Sequence, residues 1–183
     1  MATREVRRTY LQMHSPGELR RVDVPTDAPE LTREAPCSLE LSRALYHEVG
    51  RAYHWRDRDA LSDADLTAYL ERPGVVVHVM RRDGKPLGFF ELMHHDDGSV
   101  EIVLFGLIAA AQGQGLGKWL LTRAVDEAWA MGATRVWLHT CTLDSPVALP
   151  NYEARGFVQY RSEAYSVEMA DDAHVSVRGA ASG

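Results

Sequence analysis

The stretch Gln112-Gly113-Gln114-Gly115-Leu116-Gly117 combines residue types and spacing that permit chemistry. It follows an apolar run, Val100 to Ile108, and precedes an amphipathic one, so several backbone N–H groups stand exposed at the start of a helix, where they bind an anion. Glycine lets a ligand approach such a backbone closely. The spacing excludes two familiar nucleotide motifs. A P-loop needs glycine at Gln112 and Ser or Thr at Trp119, and a dinucleotide fingerprint needs glycine at Lys118 or Leu120. Taken alone, such glycines more often form nothing more than a tight strand-to-helix turn. Lys118 either adds a cation to the turn or is a solvated first-turn lysine.

Carboxylates are the next candidates. Glu101 begins an otherwise apolar strand, and by alternation it shares a face with Val103, Phe105 and Leu107. Glu91, beside Phe89 and Met93, is placed on the neighbouring strand. Each is a candidate base, or else a strand-end carboxylate in solvent or paired with an arginine. His94, His95, Asp96 and Asp97 have the chemistry of metal ligands, but adjacent residues of an extended strand point to opposite faces. A polar hairpin end is the better reading, and no metal is expected. His139 and Cys141 share a strand face, where packing is the commoner role.

Val100 to Leu121 resembles the acyl-CoA-binding motif of the GNAT superfamily of N-acetyltransferases, whose core is Arg or Gln, two residues, Gly, one residue, then Gly or Ala. Gln112, Gly115 and Gly117 match, and Gly113 falls at another position that is usually glycine. The resemblance implies that Gln112, Gly113, Gln114, Gly115, Leu116, Gly117 and Lys118 cradle the pyrophosphate of acetyl-CoA. It also implies that Gly106, Leu107 and Ile108 offer backbone groups to the pantetheine arm, as if the arm were an added strand. Ala109 stands where proline is frequent, and Gln112 replaces the commoner arginine, so the cradle relies more on backbone dipoles than on charge.

Asp144 to Phe157 resembles the family's second signature, with Ala148, Tyr152, Gly156 and Phe157 in register. By that resemblance Tyr152 lies near the coenzyme sulfur as general acid, protonating a departing thiolate whose ordinary pKa is about 8.5. The plainer alternative is an amphipathic tyrosine at a helix end. Pro146 fits the first turn of a helix capped by Asp144 or Ser145, whereas Pro150 predicts that this helix kinks or restarts. Glu101-Ile102-Val103 is similar to the histone-type members, in which a glutamate at that place acts through water. A primary amine with a pKa of about 10.4 is mostly protonated and needs such a base. Glu101 is therefore the first choice and Glu91 the second. The family's layout puts the acceptor near His54, Trp55, Arg56 and Asp57, which also read as a charged connecting loop anchored by one tryptophan.

These residues need elements to position them. The pattern predicts a strand over Arg7 to Met13 and a loop from Ser15 to Pro36. It then gives a helix capped by Ser38 and stopped by Gly50, and another opened by Ser62 and Asp65 and running through Leu70. Three antiparallel strands follow over Val75 to Arg81, Pro86 to Met93 and Val100 to Ile108. After the glycines, Leu116, Leu120, Leu121, Ala124, Val125 and Ala128 make one helix face, ended by Gly132. Arg135 to Thr140 is a strand, Ser145 to Arg155 a short irregular helix, and Phe157 to Tyr160 and Glu163 to Glu168 two further strands. The fold class is α/β, a GNAT-like mixed, mostly antiparallel central sheet flanked by helices and splayed at the acyl-CoA site. Residues 1–170 are expected to form a single acetyltransferase domain, and 171–183 a disordered tail.

The 183 residues are 45% hydrophobic and 25% charged, as in ordinary globular domains. A net charge of -6 disfavours nucleic acid, and no apolar run is long enough for a membrane span. Cys37 and Cys141 lie far apart, and Met1 to Arg8 lacks the apolar stretch of a secretory signal, so the expected location is cytoplasmic. A homodimer is compatible with the sequence. The expected function is acetyl-CoA-dependent transfer of an acetyl group to a primary amine, on a small molecule or a protein. The alternatives are a non-catalytic acyl-CoA sensor, transfer of another acyl group, or transfer to a hydroxyl.

Overall fold

The computed structural model describes residues 2–53 and 55–169. The strands are β1 (Ala2–Met13), β2 (Glu30–Glu34), β3 (Val75–Arg82), β4 (Lys85–His94), β5 (Ser99–Leu107), β6 (Arg135–Cys141) and β7 (Val158–Met169). The helices are α1 (Leu39–Gly50), α2 (Asp63–Leu70), α3 (Leu116–Ala130) and α4 (Ala148–Ala154), joined by three short 3-10 turns. The expected tail, 171–183, lies outside the described residues.

One seven-stranded sheet runs in the order β2-β3-β4-β5-β6-β1-β7. Every described pairing is antiparallel except β5 with β6, which is parallel and confined to Ser99–Glu101 against Arg135–Trp137. Beyond Glu101 and Trp137 the two strands separate. That is the expected splay, and helices flank it on both faces.

Helix boundaries follow their caps. Ser38 Oγ accepts from Leu41 N–H, and Ser62 Oγ accepts from Asp65 N–H, at 3.2 and 3.1 Å. α3 buries Leu116, Trp119, Leu120, Leu121, Ala124, Val125 and Ala128 against Phe90, Leu92, Ile102, Val136 and Leu138. Each large side chain so buried contributes about 1.5–3 kcal/mol. On the opposite face α1 and α2 cover Val75, Val77, Val79 and Phe89 with Leu45, Val49, Leu66 and Leu70.

Three expectations need correction. The presumed loop from Ser15 to Pro36 contains β2, a polar edge strand whose alternation is too weak to read. The two C-terminal strands are one, β7, with a bulge opposite Tyr10 and Leu11. The last helix starts at Ala148, so Pro146 lies outside it and Pro150 is its third residue. A proline in the first turn removes only an N–H that has no helical partner, and no kink results.

Candidate active site

The Gly-rich turn is built as its spacing requires. A 3-10 turn over Ala109–Ala111 ends β5, and α3 starts at Leu116 with Gly115 as N-cap. Gly113 and Gly115 have φ of 75° and 74°, the left-handed region that costs other residues energy. Residues 112–115 are exposed, so the N–H groups entering α3 face solvent without a side-chain cap. Gln112 is committed elsewhere: its Nε2 donates to Tyr53 Oη (2.9 Å) and to Leu107 C=O (3.3 Å). Gln114 Nε2 donates to Ala110 C=O, also at 2.9 Å. Lys118 is exposed, and its Cε lies 3.4 Å from where a Cβ on Gly115 would stand.

Upstream, Ile108 N–H donates to Leu87 C=O. Alternation along β5 therefore turns the backbone groups of Leu107 and Phe105 to the other edge, where β6 has already diverged. Among the described residues no strand pairs with that edge beyond Glu101, and Leu107 C=O there accepts from Gln112 Nε2. Gly106 sits where a Cβ would overlap Val49 of α1, so its glycine is needed for helix-to-sheet contact.

The register corrects the face assigned to Glu101. A bulge puts Leu104 opposite Glu91 but Ile102 opposite Leu92, leaving Val103 as an extra residue. Alternation is thus broken. Glu101 shares the α1/α2 face with Leu104, Gly106, Glu91 and Met93, whereas Phe105 and Leu107 pack on the α3 side. Glu101 is 13% exposed, and its Oε2 is 3.0 Å from His95 Nε2. Burial pushes its carboxyl above the ordinary range, partly offset by His95 and reinforced by Glu91.

Glu91 is only 1% exposed and fully engaged. Arg58 holds both its oxygens, one at 2.8 Å, and Tyr69 Oη donates at 2.6 Å. Arg58 itself lies over the Tyr69 ring, 5.0 Å from its centroid.

Tyr152 projects from α4 into the α3-side core, 7% exposed, with its ring against Phe105 and Phe157 at 6.1 and 6.3 Å. Burial, then the nearby Asp144 charge, raises its hydroxyl pKa, so it stays protonated at neutral pH. Asp144 does not cap the helix, as the sequence suggested. It accepts from Thr140 Oγ1 (2.7 Å) and Cys141 N–H (2.8 Å), closing the turn after β6. Tyr152 and Glu101 thus lie on opposite faces of the sheet, Glu101 at the last position where β5 pairs with β6 and Tyr152 against Phe105 beyond it.

Trp55 packs on Tyr46 and Phe89, with ring centroids 5.4 and 6.4 Å away, and its Nε1–H donates to Asp144 Oδ1 at 3.4 Å. It links the α1–α2 connection to the far side of the splay. Arg56 and Asp57 are exposed in the turn that follows, and Arg56 joins Trp55, Tyr46, His47 and Asp59 around a cavity of about 310 Å³. His54, grouped with these residues in the sequence, lies outside the described residues. Sequence reading missed Arg58, Tyr69 and His95, whose partners are distant in the chain or set by hairpin register. Among the described residues no cluster of His, Cys, Asp and Glu forms a metal site, and no helix is long and apolar enough to cross a membrane.

Comparison with known proteins agrees with this geometry. Residues 42–157 match the model of the "Acetyltransferase (GNAT) family". Uncharacterized N-acetyltransferases of Mycobacterium tuberculosis and Mycobacterium bovis are 33% identical over 78 residues, 43% of this chain and 50% of theirs. The match thus spans about half the length of these relatives. A GNAT-family acetyltransferase from Colwellia psychrerythraea superposes with a TM-score of 0.62 at 15% identity, over 90% of this chain and 56% of that one. An aminoglycoside acetyltransferase from an uncultured soil metagenomic sample gives 0.58 at 18% identity, over 71% and 88%. Both structures are similar in fold. With the family model covering most of the chain and the splayed sheet, Gly-rich turn and Gly-Phe signature in order, the chain belongs to the GNAT family of acetyltransferases.

Proposed function

We propose that the chain is an acetyl-CoA-dependent N-acetyltransferase that moves an acetyl group directly to a primary amine. The observation that carries this reading is the gap between β5 and β6, with the unpaired edge at Phe105 and Leu107 leading to the uncapped N–H groups before α3. The donor set suits the coenzyme: an extended edge for an amide-bearing arm, then backbone dipoles for a pyrophosphate. Of Gly106, Leu107 and Ile108, only Leu107 turns its backbone groups to that edge, because Ile108 N–H donates to Leu87 C=O and Gly106, by alternation, also faces β4. Gly113, Gln114, Gly115, Leu116, Gly117 and Lys118 form the cradle, while Gln112 braces it through Tyr53 and Leu107.

Acetyl-CoA bound there supplies the thioester carbonyl as electrophile. Tyr152 is the proton donor to the departing thiolate, and its burial keeps the proton available at neutral pH. Glu101 accepts the proton from the incoming amine, directly or through water, and burial makes it a stronger base than a solvated glutamate. Glu91 is left in a supporting role, because Arg58 and Tyr69 occupy its oxygens. Trp55, Arg56 and Asp57 border the acceptor side, and Trp55 reaches across to Asp144 in the turn after β6.

The test is thiol release from acetyl-CoA with a panel of lysine, spermidine, tyramine, an aminoglycoside and a lysine-bearing peptide. Turnover with at least one amine is expected. Coenzyme binding without thiol release from any member would favour a non-catalytic sensor.

A further inference from the structure

His95 lies in the turn between β4 and β5, where the sequence suggests only a polar hairpin end. Its backbone closes that turn: its N–H donates to Ser99 C=O at 2.8 Å, and its C=O accepts from Gly98 N–H at 3.0 Å. The ring is oriented from two sides. It packs on Trp137, with centroids 5.7 Å apart and planes 31° apart, and its Nε2 is 3.0 Å from Glu101 Oε2. Trp137 is anchored in turn, its Nε1–H donating to Ser99 Oγ at 3.2 Å, while Ser99 is held by Asp97 Oδ1. The side chain of His95 is 35% exposed and that of Glu101 13%, so the pair runs from solvent toward the interior.

We propose that His95 is a positioning residue for the acetyl transfer, its Nε2–H holding the Glu101 carboxylate ionised and in a fixed orientation beside the gap between β5 and β6. This rests on the reading of Glu101 as the base.

The surroundings of Glu101 leave this task to His95. Burial opposes ionisation of Glu101, and the Glu91 carboxylate on β4 opposes it further. Arg58, a buried cation, is committed to Glu91, and Tyr69 of α2 donates to Glu91. Asp97 in the turn is turned toward Ser99 and Arg135. Among the described residues, the one hydrogen bond to the Glu101 carboxylate comes from His95. A donor at this place lowers the free energy of the carboxylate relative to the neutral acid. Its loss should raise the pH at which Glu101 ionises, and the base would then be unavailable over a wider acidic range.

The decisive measurement needs no acceptor. In protein labelled with ¹³C at glutamate carboxyls, the Glu101 resonance is identified by its disappearance in Glu101→Gln and followed against pH. His95→Phe keeps a ring for Trp137 but removes the donor, and the Glu101 midpoint is expected to rise by about one pH unit. His95→Gln restores an N–H donor and recovers more than half of that rise. With whichever panel amine supports turnover, the acid limb of kcat/KM moves the same way in both variants. An unmoved Glu101 midpoint in His95→Phe overturns the role of His95, and leaves Glu101 as base if Glu101→Gln still loses turnover at least about a hundredfold. Full turnover in Glu101→Gln overturns the base assignment, and the catalytic role of His95 with it.

Discussion

Two carboxylates on one sheet face, Glu91 and Glu101, have been given different work by their neighbours. Glu91 is paired with a buried guanidinium and accepts from a phenol; Glu101 has one partly exposed imidazole. Removing Arg58 would leave Glu91 charged and unpaired, so Arg58→Met is expected to lose about 3–5 kcal/mol in urea unfolding, with Arg58→Met/Glu91→Leu recovering most of it. Tyr152→Phe should lower turnover about a hundredfold while changing the calorimetric Kd of acetyl-CoA by less than about threefold, because the ring keeps its packing and only the proton donor is lost. Equal turnover in that variant would remove Tyr152 from the reaction. The placement of Tyr152 on a short helix before Gly156 and Phe157 was legible because that signature is local in sequence. The partners of Glu91 were not, since Arg58 lies 33 residues away and reaches it only through the packing of the α1–α2 connection. The face of Glu101 was misread because strict alternation cannot anticipate the extra residue, Val103, that the bulge inserts.

The Gly-rich turn works as an element joint, since one segment ends β5, sets the start of α3 and exposes its first N–H groups. Gly115→Ala is expected to cost about 1–2 kcal/mol of stability from its left-handed conformation. It should also weaken acetyl-CoA binding, measured by calorimetry, because the first turn of α3 must shift to relieve the strain. Unchanged affinity would separate the turn from the coenzyme. Elements with chemical punctuation were readable: Ser38, Ser62 and Gly132 mark ends that the fold keeps. Elements without it were not. β2 is Glu-Leu-Thr-Arg-Glu, which looks like a loop until β3 pairs with it. β7 looked divided because its polar middle, Arg161 and Ser162, occupies a strand with exposed positions rather than a turn.

For the whole molecule, the order of the sheet was the least legible feature. The first strand in the chain is the sixth in the sheet, held between β6 and β7, and no local pattern announces a partner more than a hundred residues away. The resemblance carried by the two glycine-bearing signatures implies the family and the layering, but not this insertion. Its consequence is one of timing. β1 is synthesised before the other strands of the sheet yet has no sheet partner until β6 and β7 have been made, so its backbone groups wait through synthesis of the strands between, and closing that long loop slows folding. Ala2 and Met169 are direct partners, so a permuted chain in which a short turn joins residue 169 to residue 2, opened at the β3–β4 turn, makes β7 and β1 a hairpin. In stopped-flow refolding that permutant should fold about tenfold faster than the natural order, and equal rates would show that β1 docking is not the slow step.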